Sequence, residues 1–179
     1  MHDLPPVGQS PTLRTERLRL RRPAERDLPA IAAIAGDWRV ARRLARVPHP
    51  YGMADARFFL ERIVPNQWVW ALTLPDTDVL FGTIGLLPDD NGDAAELGYW
   101  LAPDAWGNGF ATEAATAVLR FAFDTLGLSR LTSGHAENNP ASGRVLAKLG
   151  FRETERRMQP CLAAGTEIPA VRIILDRPH

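Results

Sequence analysis

Between Leu97 and Ala114 the chain reads LGYWLAPDAWGNGFATEA. A strand-like run leads through two closely spaced glycines, Gly107 and Gly109, straight into a helix-like run. The chemistry this pattern offers is anion binding. The first turn of a helix leaves its amides unpaired, and the helix dipole adds partial positive charge there. Glycines without Cβ atoms let a ligand approach that backbone closely. Together these suit a pyrophosphate. The spacing excludes two common phosphate sites. There is no GxxxxGK[ST] and no lysine placed as in a phosphate-loop NTPase. The dinucleotide fingerprint GxGxxG is also absent, because Gly107-Asn108-Gly109-Phe110-Ala111-Thr112 ends in threonine. On the glycine pair alone, a tight strand-to-helix turn that binds nothing accounts for the stretch equally well.

The elements that must position this loop follow from hydrophobic spacing and turn residues. Leu13 to Arg22 alternates apolar and polar at Leu18 and Leu20 and reads as a strand ended by Pro23. Asp27 to Gly36 reads as a short helix with Asp27 as N-cap. Residues 37–53 read as irregular or short helix, and Asp55 to Val64 has helical spacing. Gln67 to Leu74 and Val79 to Leu87 form a hairpin. DDNGD at Asp89 to Asp93 is a further turn, leading into a strand over Ala94 to Leu101. The three-four spacing of Ala111, Ala114, Val118, Phe121 and Leu126 predicts a long helix over 107–126. Gly127 stops it. A short strand follows over Arg130 to Ala136. Asn139-Pro140 opens another helix, Asn as N-cap and Pro at the first helical position, with Gly150 as C-cap. Strands over Phe151 to Arg157 and Ala170 to Leu175 close the chain. The order predicts a mixed α/β domain of α+β type with a largely antiparallel sheet.

A chain of 179 residues with 45% hydrophobic residues fits one domain with its own core. Residues 1–11, rich in proline and polar residues, read as a flexible tail, leaving 12–179 as a single domain. Lys+Arg and Asp+Glu both count 21, which argues against general nucleic-acid binding. A local basic patch remains around Arg39, Arg42, Arg43 and Arg46. The one cysteine, Cys161, permits no internal disulfide, and thiols are too few for a structural zinc site, so no metal is expected. No apolar run approaches membrane-spanning length. MHDLPPVGQSP lacks the basic and apolar regions of a signal peptide, so a cytoplasmic protein is expected, with no membrane partner.

A second stretch identifies the first. Asn138 to Phe151 (NNPASGRVLAKLGF) resembles the signature helix of the GNAT acetyltransferases, with Asn139, Ser142 and Lys148-Leu149-Gly150-Phe151 at its marked positions. The glycine loop resembles that family's phosphate loop, Q/R-x-x-G-x-G/A, with Gly109 and Ala111 at its small positions. One departure is Trp106, where the family usually has Gln or Arg. WGxGxATEA, the opening LRTERLRLR, HPYGMADARFFLER and AELGYWL all resemble the Rim-type ribosomal-protein N-terminal acetyltransferases and their relatives. The likeness covers roughly residues 12–175 in order. It implies the GNAT fold: a twisted, mostly antiparallel sheet with helices on both faces and a splay between the fourth and fifth core strands, those over 94–101 and 130–136. It implies acetyl-CoA as cosubstrate, with the amides of Gly107, Asn108, Gly109, Phe110, Ala111 and Thr112 on the diphosphate. It implies that the backbone near Tyr99 and Leu101 pairs with the pantetheine arm, and that Asn139 hydrogen-bonds it. Plain helix capping explains Asn139 as well.

Amide formation from a thioester needs a neutral amine, and an aliphatic amine with a pKa near ~10 must first lose a proton. Glu96 is the candidate base. It shares a strand face with Gly98 and Trp100, and the likeness favours a glutamate there, acting through water. The likeness makes Ser142 the candidate proton donor. Many GNAT enzymes carry a tyrosine four positions later, where this chain has Leu146. His135 at a strand end, Tyr99, and Trp38 on the variable helical segment are candidate acceptor contacts, with packing as the competing role for each. The expected activity is acetyl transfer from acetyl-CoA to a primary amine by direct attack in a ternary complex. The acceptor is a protein N-terminus first and a small-molecule amine second, and the protein is a monomer or homodimer. Two other classes compete. One is a non-catalytic acyl-CoA-binding sensor or scaffold module, favoured only by the missing tyrosine. The other is a nucleotide-binding protein, disfavoured because no lysine or acidic ribose ligand is placed for it.

Overall fold

Hairpin turns set the order of most of the sheet. In a computed structural model, which describes residues 5–178, eight strands form one sheet: β1 (Leu13–Arg14), β2 (Arg19–Arg21), β3 (Trp68–Thr73), β4 (Leu80–Pro88), β5 (Ala94–Leu101), β6 (Arg130–Ala136), β7 (Arg152–Cys161) and β8 (Thr166–Asp176). Their spatial order is β1-β2-β3-β4-β5-β6-β8-β7. Every neighbouring pair is antiparallel except β5 and β6, which are parallel. A parallel pair needs a crossover element. Here it is the helix α4 (Phe110–Arg120), which ends in a wider turn over Phe121–Thr125. The remaining helices are α1 (Leu28–Gly36), α2 (Trp38–Ala41), α3 (Met53–Phe58) and α5 (Pro140–Lys148).

Two apolar clusters cover the two faces of the sheet. Trp70, Leu72, Leu86 and Leu97 pack with Ala115, Val118 and Phe121 of the α4 segment and Leu146 of α5. Ala71 and Leu80 pack on the other face with Leu28 and Ile31 of α1 and Ala56 of α3. β3 is therefore buried along its whole length, as its unbroken apolar run WVWALT requires. Trp70 meets Phe121 edge to face at 5.2 Å between centroids, a favoured aromatic geometry.

The observed elements depart from the sequence-based expectations where local geometry intervenes. The first strand is broken in two by a turn closed by Thr15 N–H donating to Leu18 at 3.0 Å. Asp27 does not cap α1 with its side chain. Its carboxylate takes the buried Arg21 guanidinium at 2.8 and 2.9 Å and the amide of Ala24 at 2.8 Å. The charge next to it in space outcompetes the amides next to it in sequence. The long helix starts at Phe110 rather than Gly107, because Gly107 and Gly109 have φ of 77° and 78°, outside the right-handed helical region.

Residues 5–11, expected as part of a flexible tail, lie against β3. The Trp70 indole donates to the Pro11 carbonyl at 2.7 Å and the Trp68 indole to that of Pro5 at 3.2 Å, while Gly8 N–H donates to Gln67 at 3.1 Å. Buried tryptophans need an acceptor, and this segment supplies it. Residues 1–4 of the expected tail lie outside the described residues.

Candidate active site

β5 and β6 pair only over Ala94–Glu96 and Arg130–Thr132. Beyond that point they separate, which is the expected splay. The Ser133 hydroxyl donates to the Leu97 carbonyl at 2.8 Å, the last tie before the gap. The gap opens into a cleft of about 440 Å³ that continues to the N-terminus of α4 and along α5.

The glycine loop bounds one end of the cleft. Among the described residues, none of the amides of Gly107 to Thr112 donates to a backbone carbonyl. A Cβ added at Gly107 would meet nothing within 4 Å, and one at Gly109 only the Arg17 guanidinium at 3.4 Å. These glycines therefore serve the left-handed turn and keep open the space in front of six free amides. That arrangement fits the diphosphate of coenzyme A. The Asn108 side chain is spent on the loop itself, donating to the carbonyls of Ala105 and Trp106 at 3.1 Å each. Phe110 packs on Phe81 with Arg17 over its ring. From this pair, the amides rather than the side chains remain for a ligand. The Trp106 indole donates to the Leu101 carbonyl at 3.0 Å, so that carbonyl already has one partner.

Alternation along β5 divides the remaining candidates between the two faces of the gap. Glu96, Gly98 and Trp100 lie on the α1 and α3 side. Leu97, Tyr99 and Leu101 lie on the α4 and α5 side. Glu96 is not a free carboxylate: Arg172 of β8 donates to it at 3.2 Å. To reach Glu96 the Arg172 side chain crosses over β6 at Gly134. A Cβ there would fall 3.0 Å from the guanidinium.

On the opposite side, the Asn139 side chain accepts from Ser142 N–H at 3.4 Å, capping α5 as its residue type suggests. The Ser142 hydroxyl lies 2.7 Å from the Tyr99 phenol oxygen. Burial pushes the Tyr99 phenol above its ordinary pKa, and the hydrogen bond with Ser142 opposes this in part. His135 lies on this same side. Its Nδ1 is 3.0 Å from the Ala136 carbonyl, and its ring rests against α5 at Gly143, where a Cβ would come within 3.0 Å of it.

The structure brings Glu96, Tyr99, Ser142, Asn139 and His135 to one cleft with the glycine loop. Trp38 is not among its lining residues. It stands half exposed on α2, edge-on to His49 at 5.1 Å. The segment after α2 instead contributes Arg43, whose guanidinium sits over the Trp106 ring at 5.0 Å. Arg172, Ser133 and Arg43 were not singled out as site residues from sequence. Only Arg43 carried a signal there, as part of a basic run. Arg172 and Ser133 reach the site through strand pairing between distant segments. Among the described residues no group of three or more His, Cys, Asp or Glu is placed to hold a metal ion. No helix among them is long and apolar enough to cross a membrane.

Comparison with known proteins agrees with this geometry. The family described as "Acetyltransferase (GNAT) domain" matches residues 17–152. The uncharacterized N-acetyltransferase YoaA of Bacillus subtilis (strain 168) is 33% identical over 155 residues, covering 80% of this chain and 84% of that protein. Among solved structures, a ribosomal-protein-S5-alanine acetyltransferase from Vibrio fischeri superposes with a TM-score of 0.79 at 17% identity, covering 94% of this chain and 97% of that one. The spermidine N-acetyltransferase of Vibrio cholerae, solved with CoA and spermine, gives 0.78 at 19% identity, covering 91% and 97%. At those identities the two structures speak for the fold. With the family match over most of the chain, a sheet splayed between β5 and β6 and a glycine loop of free amides at the mouth of the gap, this chain belongs to the GNAT family of acetyl-CoA-dependent N-acetyltransferases.

Proposed function

We propose that the acetyl group passes from acetyl-CoA to a primary amine by direct attack in a ternary complex, with Glu96 and Ser142 handling protons on opposite sides of the thioester. The observation that carries this reading is their separation. Glu96 lies on the α1 and α3 face of β5, and Ser142 lies on α5 across the gap. The amides of Gly107 to Thr112 hold the diphosphate. The open edge of β5 near Tyr99 receives the pantetheine like an added strand, with Leu101 at its far end and Asn139 alongside.

The amine enters from the Glu96 side. Glu96, oriented by Arg172, takes the ammonium proton through water and releases it to solvent. The neutral nitrogen attacks the carbonyl carbon, and it loses its second proton by the same route as the intermediate collapses to the amide. A backbone amide stabilises the resulting oxyanion. When the carbon–sulfur bond breaks, the sulfur leaves on the Ser142 side and is protonated there. The acceptor is a protein N-terminus in the first instance, on the Rim-type likeness, and a small amine such as a polyamine in the second. His135 and Tyr99 border the leaving-group side. Trp38 would touch only the outer end of a large acceptor.

The test is an acceptor screen with purified protein and acetyl-CoA, detecting released thiol. It spans peptides with Ala, Ser and Met N-termini, polyamines and aminoglycosides. Turnover of one class names the acceptor. Cofactor binding without turnover of any would instead support a sensor or scaffold. Gly109→Val is the companion variant. At a φ of 78° valine costs about 1–3 kcal/mol of strain, which a folded domain tolerates. Its side chain enters the space in front of the amides, so calorimetric titration should show loss of acetyl-CoA binding with the circular dichroism spectrum retained. Unchanged affinity would remove the loop from the site.

A further inference from the structure

We propose that Tyr99 is the proton source behind Ser142, so that the leaving thiolate is protonated through a two-residue relay running from β5 to α5. The inference rests on the acetyl-transfer reading above and assigns a role to a side chain that reading leaves without one.

Three observations carry it. The position four residues after Ser142 holds Leu146, which is buried in the core and has no proton to give. The Tyr99 phenol, arriving from a different element, lies 2.7 Å from the Ser142 hydroxyl. Both residues line the cleft on the α5 face, opposite Glu96. An aliphatic hydroxyl alone is a poor acid, whereas a phenol ordinarily titrates near ~10. Burial holds the Tyr99 phenol above that value, so it stays protonated at neutral pH. With the phenol donating to Ser142 Oγ, the Ser142 proton is left free to point at the sulfur.

The carbon–sulfur bond breaks and its electron pair goes to sulfur. The Ser142 proton moves to the sulfur, and the Tyr99 proton moves to Ser142 Oγ. Solvent restores the phenol, while the two protons that leave the amine nitrogen by way of Glu96 go to solvent, a net release of one. Tyr99 touches no reacting atom. It acts through Ser142 as a positioning and relay residue.

The chain holds two tyrosines, Tyr51 and Tyr99. Tyr51 packs against the α1 and α3 cluster, outside the cleft. In a Tyr51→Phe background, replacing tyrosine biosynthetically by a fluorotyrosine, a more acidic phenol, alters position 99 alone. Wild-type turnover is measured first. Its absence with every amine defeats the acetyl-transfer reading, and this proposal with it.

In the active enzyme, Tyr99→Phe should lower kcat about tenfold with KM for acetyl-CoA unchanged. Adding Tyr99→Phe to Ser142→Ala should cost nothing further, because the relay is already broken. The fluorotyrosine enzyme should lose kcat at a lower alkaline pH than its parent. Independently of any acceptor, the tyrosinate absorption of the Tyr51→Phe protein reports Tyr99, and Ser142→Ala should move that titration upward. Wild-type kcat in Tyr99→Phe, additive losses in the double variant, an unmoved alkaline limb or an unmoved titration would each overturn the relay while acetyl transfer stands.

Discussion

The Glu96 carboxylate is held in place by Arg172, a residue 76 positions away in sequence that reaches it across a glycine. A base working through water gains from such fixing, because the water must bridge carboxylate and amine at once. Glu96→Gln should lower kcat about tenfold at neutral pH, at the low end of what positioned proton transfer contributes. The deficit should shrink as pH approaches the amine's own pKa, about 8 for a protein N-terminus and about 10 for an aliphatic side-chain-type amine, where solvent removes the proton. Ser142→Ala should lower kcat by a similar factor without that recovery, since the role proposed for Ser142 is on the leaving group. Steady-state pH profiles with an identified acceptor check both. Wild-type kcat in both variants across pH would show that catalysis rests on positioning alone. At this scale the strand face that carries Glu96 was legible from alternation, while Ser142 was singled out only by the family likeness. The Arg172 contact was not legible, because it depends on which strand lies beside which.

Among the elements, α4 matters most to the site, and its N-terminus is anchored from outside itself. The Glu113 carboxylate accepts from the Thr15 hydroxyl at 2.5 Å, the Arg17 amide at 2.9 Å and the Arg17 guanidinium at 2.7 Å, tying the β1–β2 turn to the first turn of α4. Burial acts to raise the Glu113 pKa, but the hydrogen bonds from Thr15 and Arg17 together hold it below the ordinary value. A carboxylate depressed in the folded state stabilises the protein above its unfolded pKa, near ~4.3. That contribution is lost as pH falls through the folded value. Glu113→Gln should therefore cost about 1–2 kcal/mol at pH 7, most of it from the part-buried hydrogen bond with Thr15 rather than the half-exposed Arg17 charge. The gap between variant and parent in urea unfolding should close in the acid range. A gap independent of pH would mean that the carboxylate charge is not what anchors the helix.

Across the whole molecule, β2 is joined to the start of α1 through a charged network. Arg21 is buried and binds buried Asp27, and its Nε donates to Asp78 at 2.7 Å. Asp27 raises the Arg21 pKa most, against desolvation and with help from Asp78. The Asp78 carboxyl is held low chiefly by its hydrogen bond to Arg21. Removing one partner of a buried pair leaves an uncompensated charge, so Arg21→Met should destabilise the protein by about 3–5 kcal/mol in denaturant unfolding. Arg21→Met combined with Asp27→Leu should recover most of that loss, since apolar replacements of buried pairs are often neutral. No recovery would mean that the network fixes the helix position in a way packing cannot replace.

What the sequence determined by itself is what depends on short-range patterns. β5 and β6 fall on the residues that spacing and turns predict, Ala94–Leu101 and Arg130–Ala136. The glycine loop and the Asn139 cap are likewise local, because each follows from residues within a few positions. The tertiary structure decided everything that joins distant segments. It turned Asp27 from a helix cap into an ion-pair partner and docked residues 5–11 onto buried tryptophans. It moved Trp38 aside in favour of Arg43 and set Tyr99 against Ser142. The Trp70–Pro11 and Tyr99–Ser142 contacts join segments 59 and 43 positions apart that the order of strands in the sheet brings together, whereas the Arg21–Asp27 pair spans only six. No periodicity along the chain encodes that order directly.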